Sequence, residues 1–160
     1  MDAALKDNAI VIYTDGACSN NQERTNLGGW GAVLLHKGHY KEIYGGEADT
    51  TNNRMELMAM IRALEEVKAK GIPVVIHSDS AYIINCFKDK WYVNWRRNGW
   101  QNSKKQPVEN RDLWERLLEL AENKIGLDNI TWVKVKGHSG DHYNEVADAL
   151  ARKGAESLRQ

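Results

Sequence analysis

Three strands in immediate succession, followed by helices interleaved with strands, constrain this chain more than any other feature of its sequence. From Ile10 to Thr14 the run Ile-Val-Ile-Tyr-Thr is β-branched and aromatic, and it stops at Asp15-Gly16, a turn signal. Gly31 to His36 and Tyr40 to Tyr44 read as two further strands joined by a Lys37-Gly38-His39 turn, so the chain opens on an antiparallel meander. Helical spacing begins at Asn53, where Leu57, Ile61, Leu64 and Val67 recur as far as Lys70, and Gly71 and Pro73 supply the stop. Pro73 to His77 is a short strand ending at Ser78-Asp79, and Ser80 to Phe87 a short helix. Glu109 to Asn123 is a helix with Leu113, Leu117 and Leu120 on one face, Ile130 to Lys136 a strand, and His142 to Glu156 a last helix. This order implies an α/β fold, a mixed five-stranded sheet (antiparallel meander plus two parallel strands) with helices on both faces. Ligands of such sheets bind beyond the carboxyl ends of the parallel strands, and Asp15 and Asp79 lie at two such ends.

A chain of 160 residues is the size of one globular domain, and residues 1–160 are read as one. No stretch approaches the roughly 18 apolar residues of a membrane helix. The short extension 1–8 lacks the apolar run of a secretory signal, so a cytoplasmic protein with no membrane partner is expected, monomeric by default. Residues 157–160 read as a frayed tail. Cys18 and Cys86 form no C-x-x-C pair and are expected to be free. The formal net charge is zero, so charge distribution decides more than its sum. Between Lys88 and Lys105, six cations (Lys88, Lys90, Arg96, Arg97, Lys104, Lys105) face one anion, Asp89.

Each acid at a strand end or in a helix has an ordinary explanation. Asp79 could cap the helix that follows it, Asn53-x-x-Glu56 matches a helix capping box, and Asp148 between Ala147 and Ala149 fits a solvated helix face. Their combination says more. If Asp15, Glu56, Asp79 and Asp148 converge, four carboxylates share one mouth and resist ionisation together, a conflict that divalent cations relieve. Oxygen-only ligation points to Mg²⁺, with Mn²⁺ as a substitute. His138 and His142 are four apart, but the intervening Ser-Gly-Asp breaks the helix that zinc spacing needs. Two ions about 4 Å apart can activate a water and stabilise the leaving oxygen of an in-line phosphodiester displacement.

The residues also carry a resemblance. Tyr-Thr-Asp-Gly-Ala-Cys from Tyr13, Thr-Asn-Asn-Arg-Met-Glu-Leu-Met-Ala from Thr51 and Ser-Asp-Ser from Ser78 are followed by Trp-x-x-x-Trp-Arg-Arg-x-Gly-Trp from Trp91. Pro-Val-x-Asn-x-Asp-Leu-Trp from Pro107 and Val-Lys-Gly-His-Ser-Gly from Val135 complete the set. In this order, over nearly the whole chain, they resemble the bacterial type 1 ribonuclease H family. The resemblance implies endonucleolytic cleavage of the RNA strand of an RNA–DNA hybrid, leaving 5′-phosphate and 3′-hydroxyl ends. It places the metal-binding acids on Asp15, Glu56, Asp79 and Asp148, with two ions when substrate is bound, Asp15 bridging them and Glu56 also close to the scissile ribose 2′-hydroxyl. It gives His138 a part in proton transfer or product departure, for which an ordinary imidazole is suited. Glu145 is a lesser candidate in the same segment.

For substrate, the resemblance makes 88–105 a protruding basic handle, with Trp91 on the DNA strand. Arg96, Arg97, Lys104 and Lys105 are candidates to neutralise phosphates. Thr51 and Asn110 would form a pocket for a DNA phosphate, and Cys18, Asn21 and Asn52 would lie near the minor groove. Read from the residues alone, Trp95 and Trp100 are core, and mid-helix burial explains Trp114 as well as a family role does. One departure stands out. Between Cys18 and Gly28 the family has a short Gly/Pro-rich turn, whereas this chain has a longer polar stretch that could add a contact through Arg24. The rival readings are another nuclease of the same broad fold, against which the handle and the Gly-His-Ser-Gly loop weigh, and a hybrid-binding module without chemistry, which the four acids disfavour.

Overall fold

A computed structural model describes residues 8–19, 26–68, 70–136 and 141–159. Strands β1 (Ile10–Cys18), β2 (Leu27–His36) and β3 (His39–Ala48) form the meander. Then come α1 (Asn52–Glu66), β4 (Val74–Ser78), α2 (Ala81–Asp89), α3 (Trp91–Arg97), α4 (Arg111–Glu119), β5 (Ile130–Lys134) and α5 (His142–Glu156). The sheet order is β3-β2-β1-β4-β5, antiparallel on the β3 side of β1 and parallel on the β4 side. This is the mixed five-stranded α/β sheet that the element order implies.

Strand periodicity sorts β1 between two cores. Ile10 and Ile12 face α1, where Leu57, Met60, Ile61 and Leu64 complete a large cluster that includes the fully buried Trp114. Val11 and Tyr13 face the other way, under Ala147 and Leu150 of α5. Helix α5 lies so close to the sheet that a Cβ on Gly29 would sit 1.8 Å from the Ala151 carbonyl oxygen. That close seat fixes where Asp148 enters the site.

Several boundaries differ from the sequence reading. β1 does not stop at Asp15-Gly16 but pairs with β2 as far as Cys18↔Gly28, although its pairing with β4 ends at Tyr13↔His77. Gly16 is there for a close approach rather than a turn, since a Cβ would come within 2.4 Å of the Glu56 backbone nitrogen. α1 ends at Glu66 rather than Lys70. Its last carbonyls, Leu64 and Glu65, accept from Lys124 Nζ at 3.1 and 2.8 Å, and Lys124 lies in a π-helical turn (Leu120–Ile125) that extends α4. Such a cation at a helix carboxyl end satisfies orphan carbonyls and opposes the helix dipole. Asn21 and Arg24, in the long stretch, and His138 lie outside the described residues.

Candidate functional site

The site is built where β1 loses one neighbour. Past Tyr13↔His77, β4 no longer borders β1, and Asp15 projects beside Asp79, which follows β4 directly. The start of α1 rests on Gly16 and brings in Glu56. Carboxylate oxygens of Asp15, Glu56 and Asp79 all lie within 4.8 Å of one another. Gly16 N–H donates to Asp15 Oδ1 at 2.9 Å and steadies the carboxylate from its own backbone.

The ordinary explanations for two of these acids fail on the structure. Ser80, not Asp79, caps α2, its Oγ accepting from Ile83 N–H at 3.2 Å. Thr51, not Asn53, caps α1, its Oγ1 accepting from Arg54 N–H at 3.1 Å, so Glu56 lies beyond the first turn and closes no capping box. Neither carboxylate is needed by the helix it borders. Glu56 is nonetheless only 8% exposed, and its Oε1 is buried without a hydrogen-bond partner among the described residues. Burying a carboxyl in this way is costly unless something compensates it.

The electrostatics agree. Burial first, then the charges of Asp15 and Asp79, push the Glu56 carboxyl well above its usual range. Asp15 is pushed up to about 7, by burial first, then by the charge of Asp79, with Asp148 adding to it and a hydrogen bond from Glu56 opposing it. Asp148 thus acts on Asp15 from α5 while standing outside the three-acid group, paired with Arg152 at 3.2 Å one turn on. An all-oxygen donor set with an orphaned buried oxygen fits a hard divalent cation. The sequence reading passed over the Tyr13–His77 pair, whose rings stack at 4.3 Å between centroids and 11° between planes, two residues before Asp15 and Asp79 on paired strands. Burial holds the His77 imidazole below its ordinary range. Only strand register reveals that pair.

A second region flanks the acids. Thr51 and Asn52 are exposed at the start of α1, and Asn110, at φ 61°, precedes α4. Arg54 joins the two helix starts. It donates from Nη1 to Asn110 Oδ1 at 3.5 Å and pairs with Glu47 and Asp112, each at 3.3 Å. Arg54 was assigned no role from sequence, although it stands within the Thr-Asn-Asn-Arg motif. Cys18 Sγ lies 3.5 Å from the Thr50 carbonyl, in the same neighbourhood.

The basic segment divides into core and surface. Trp95 and Trp100 are 7% and 9% exposed, as the residues alone suggest, and Trp114 donates from Nε1 to the Tyr82 hydroxyl at 2.8 Å. Trp91 is half-buried at a cavity of about 740 Å³, which Tyr82, Asn94, Arg97 and Asn102 also line. Arg96 is engaged within the protein: it donates to both Glu122 oxygens at 2.6 and 2.9 Å and lies over the Tyr92 ring. Lys104 and Lys105 stand exposed in a turn organised by Asn102 Oδ1, which accepts from the backbone N–H groups of Lys104 and Gln106.

Comparison with known proteins places this arrangement. A profile of the RNase H family matches residues 7–156. The ribonuclease H of Syntrophomonas wolfei subsp. wolfei is 54% identical over 150 residues, covering 93% of this chain and 97% of that protein. The crystal structure of LC9-RNase H1, a type 1 RNase H with the type 2 active-site motif, superposes with a TM-score of 0.78 at 29% identity, over 94% of this chain and 73% of that one. LC11-RNase H1, solved in complex with an RNA/DNA hybrid, shares the fold at 23% identity, with a TM-score of 0.69 over 94% of this chain and 99% of that one.

Proposed function

The chain belongs to the RNase H family, and on that premise we propose that it is an endoribonuclease, one catalytic domain that hydrolyses the RNA strand of RNA–DNA hybrids to 5′-phosphate and 3′-hydroxyl ends. The observation that carries this reading is the cluster of Asp15, Glu56 and Asp79 around a buried Glu56 oxygen that has no hydrogen-bond partner among the described residues. With Asp148 at its border, this set would hold Mg²⁺, or Mn²⁺ in its place, as two ions once substrate is bound. Bound there, the ions supply an activated water and offset charge on the leaving oxygen.

The remaining residues bind and orient. Glu56 borders the ribose 2′-hydroxyl and so favours RNA over DNA in the cleaved strand. Thr51 and Asn110 take a DNA-strand phosphate beside Arg54; Cys18, Asn21 and Asn52 serve the minor groove, and Trp91 meets the DNA strand at the handle. Arg97, Lys104 and Lys105 neutralise phosphates there, with Arg96 held on Glu122 as support. His138 assists proton transfer or product departure. Contacts to backbone and sugar, rather than base edges, make the preference for sequence weak. We read the enzyme as a cytoplasmic monomer; no described helix is long and apolar enough to cross a membrane.

Cleavage of a labelled hybrid in a series of divalent metals tests the reading, with single- and double-stranded DNA left intact. Equal cutting of a DNA duplex refutes the substrate. Asp15→Asn should abolish cleavage and leave hybrid affinity largely intact; binding without cutting in Mg²⁺ or Mn²⁺ by the wild type would leave only the binding-module reading.

A further inference from the structure

Asn26 is bound at three points to the two residues that lead into Thr51. Its Nδ2 donates to the Thr50 carbonyl at 3.0 Å, its Oδ1 accepts from Thr50 N–H at 3.0 Å, and its own carbonyl accepts from Asp49 N–H at 3.0 Å. A side-chain amide that donates to and accepts from one residue's backbone imitates a rung of a β ladder. This rung lies just beyond the last β2–β3 pair, Leu27↔Ala48.

The chain needs holding there. After β3 it passes through Asp49 at φ 54°, a left-handed turn that aspartate tolerates better than most residues and that redirects the chain towards α1. Thr50 is buried, and its hydroxyl has no hydrogen-bond partner among the described residues, whereas its backbone N–H and carbonyl are both engaged by Asn26. Thr51 follows as the α1 cap, with its oxygen accepting from Arg54 N–H. A threonine hydroxyl has one donor besides its acceptor sites, so this cap leaves the O–H free to donate outward to a phosphate oxygen.

Resting on the nuclease reading above, we propose that Asn26 is a positioning residue for hybrid binding: its amide locks Thr50 so that Thr51 presents its hydroxyl to the DNA-strand phosphate. The requirement is specific to asparagine. Alanine removes both side-chain bonds, aspartate sets a carboxylate against the Thr50 carbonyl, and glutamine carries the amide one methylene too far.

The test is steady-state cleavage of a labelled hybrid by wild type, Asn26→Ala, Asn26→Asp, Thr51→Ala and the Asn26→Ala/Thr51→Ala pair, with hybrid affinity by fluorescence anisotropy and Mn²⁺ binding by calorimetry in parallel. Asn26→Ala should raise KM roughly tenfold, the scale of two lost hydrogen bonds, with kcat and Mn²⁺ affinity within about twofold. In the Thr51→Ala background the same change should shrink to less than about twofold, because the clamp acts through Thr51. A merely structural role predicts additivity. Asn26→Asp, nearly the same size, should raise KM at least as much and carries the test if the alanine variant fails to fold. An unchanged KM in both variants, or an undiminished effect in the Thr51→Ala background, overturns the proposal. A wild type that does not cut overturns the nuclease reading instead, and the anisotropy series then decides the clamp alone.

Discussion

Without metal, the acidic cluster should make the protein less stable as pH rises. In the unfolded chain Asp15 titrates near its ordinary value of 3.8, whereas in the fold it is pushed up to about 7. Between those values the native state binds more protons than the unfolded state, so this contribution is intact below about pH 4 and is lost as pH climbs through about 7. A shift of about three units at about 1.4 kcal/mol each sets a ceiling of about 4 kcal/mol, and sharing of protons with Glu56 lowers the part owed to Asp15 to roughly 2 to 4 kcal/mol. Asp15→Asn removes the charge and keeps an oxygen to accept from Gly16 N–H. In chelator, urea unfolding followed by tryptophan fluorescence should therefore find the variant more stable than wild type by roughly 2 to 4 kcal/mol at pH 8, with the difference vanishing near pH 4. Saturating Mg²⁺ or Mn²⁺ should stabilise wild type at pH 8, by about 2.7 kcal/mol at a hundred times its dissociation constant, and the variant far less. Parallel pH dependences for the two proteins, or a variant less stable than wild type at pH 8, would refute the reasoning.

Three further outcomes follow from the geometry. Gly29→Ala places a methyl against the Ala151 carbonyl and the Ala155 backbone nitrogen, and should cost about 3 kcal/mol or more in urea unfolding; a loss under about 1 kcal/mol would mean that α5 can slide away. Lys104→Ala with Lys105→Ala should weaken hybrid binding and reduce the slope of log affinity against log salt by about two; an unchanged slope excludes both from phosphate contact. Arg54→Met should raise the KM for hybrid more than it lowers kcat, since it frees Asn110 and Asp112 without touching the acids, and equal loss of kcat and kcat/KM would assign Arg54 to the chemical step instead.

What sequence could reveal about this site divides along the line between local and non-local forces. The element order, with its change from meander to interleaved helices, is local and was legible; so were the placement of Asp15 and Asp79 at the mouth of the sheet and the burial of Trp95 and Trp100. Asp15-Gly16 looked like a turn because Asp-Gly dipeptides favour one, but strand pairing with β2 carries the backbone on to Cys18, and pairing lies outside any local window. The engagement of Arg96 by Glu122, 26 positions away, was hidden for the same reason. Substrate lay further off still: the acids imply phosphodiester hydrolysis by their chemistry, and only family motifs tie that chemistry to RNA in a hybrid.

Glu56 shows why the non-local part matters for function. A capping box would have given Glu56 a local partner at its own helix start, and a carboxylate satisfied there has no reason to gather with Asp15 and Asp79. Thr51 takes the cap instead, one residue after the Thr50 that Asn26 binds across the sheet end. The helix therefore starts earlier than Asn53, Glu56 lies past the first turn, and the start of α1 rests on a glycine that admits it to within contact of β1. The carboxyl is left buried, with one oxygen unpartnered among the described residues and its affinity for protons raised. A proton or a divalent cation relieves that burial, and above neutral pH only the cation remains, so metal binding and the seat of α1 on β1 should respond together to a change at Gly16, where the Glu56 backbone makes its close approach.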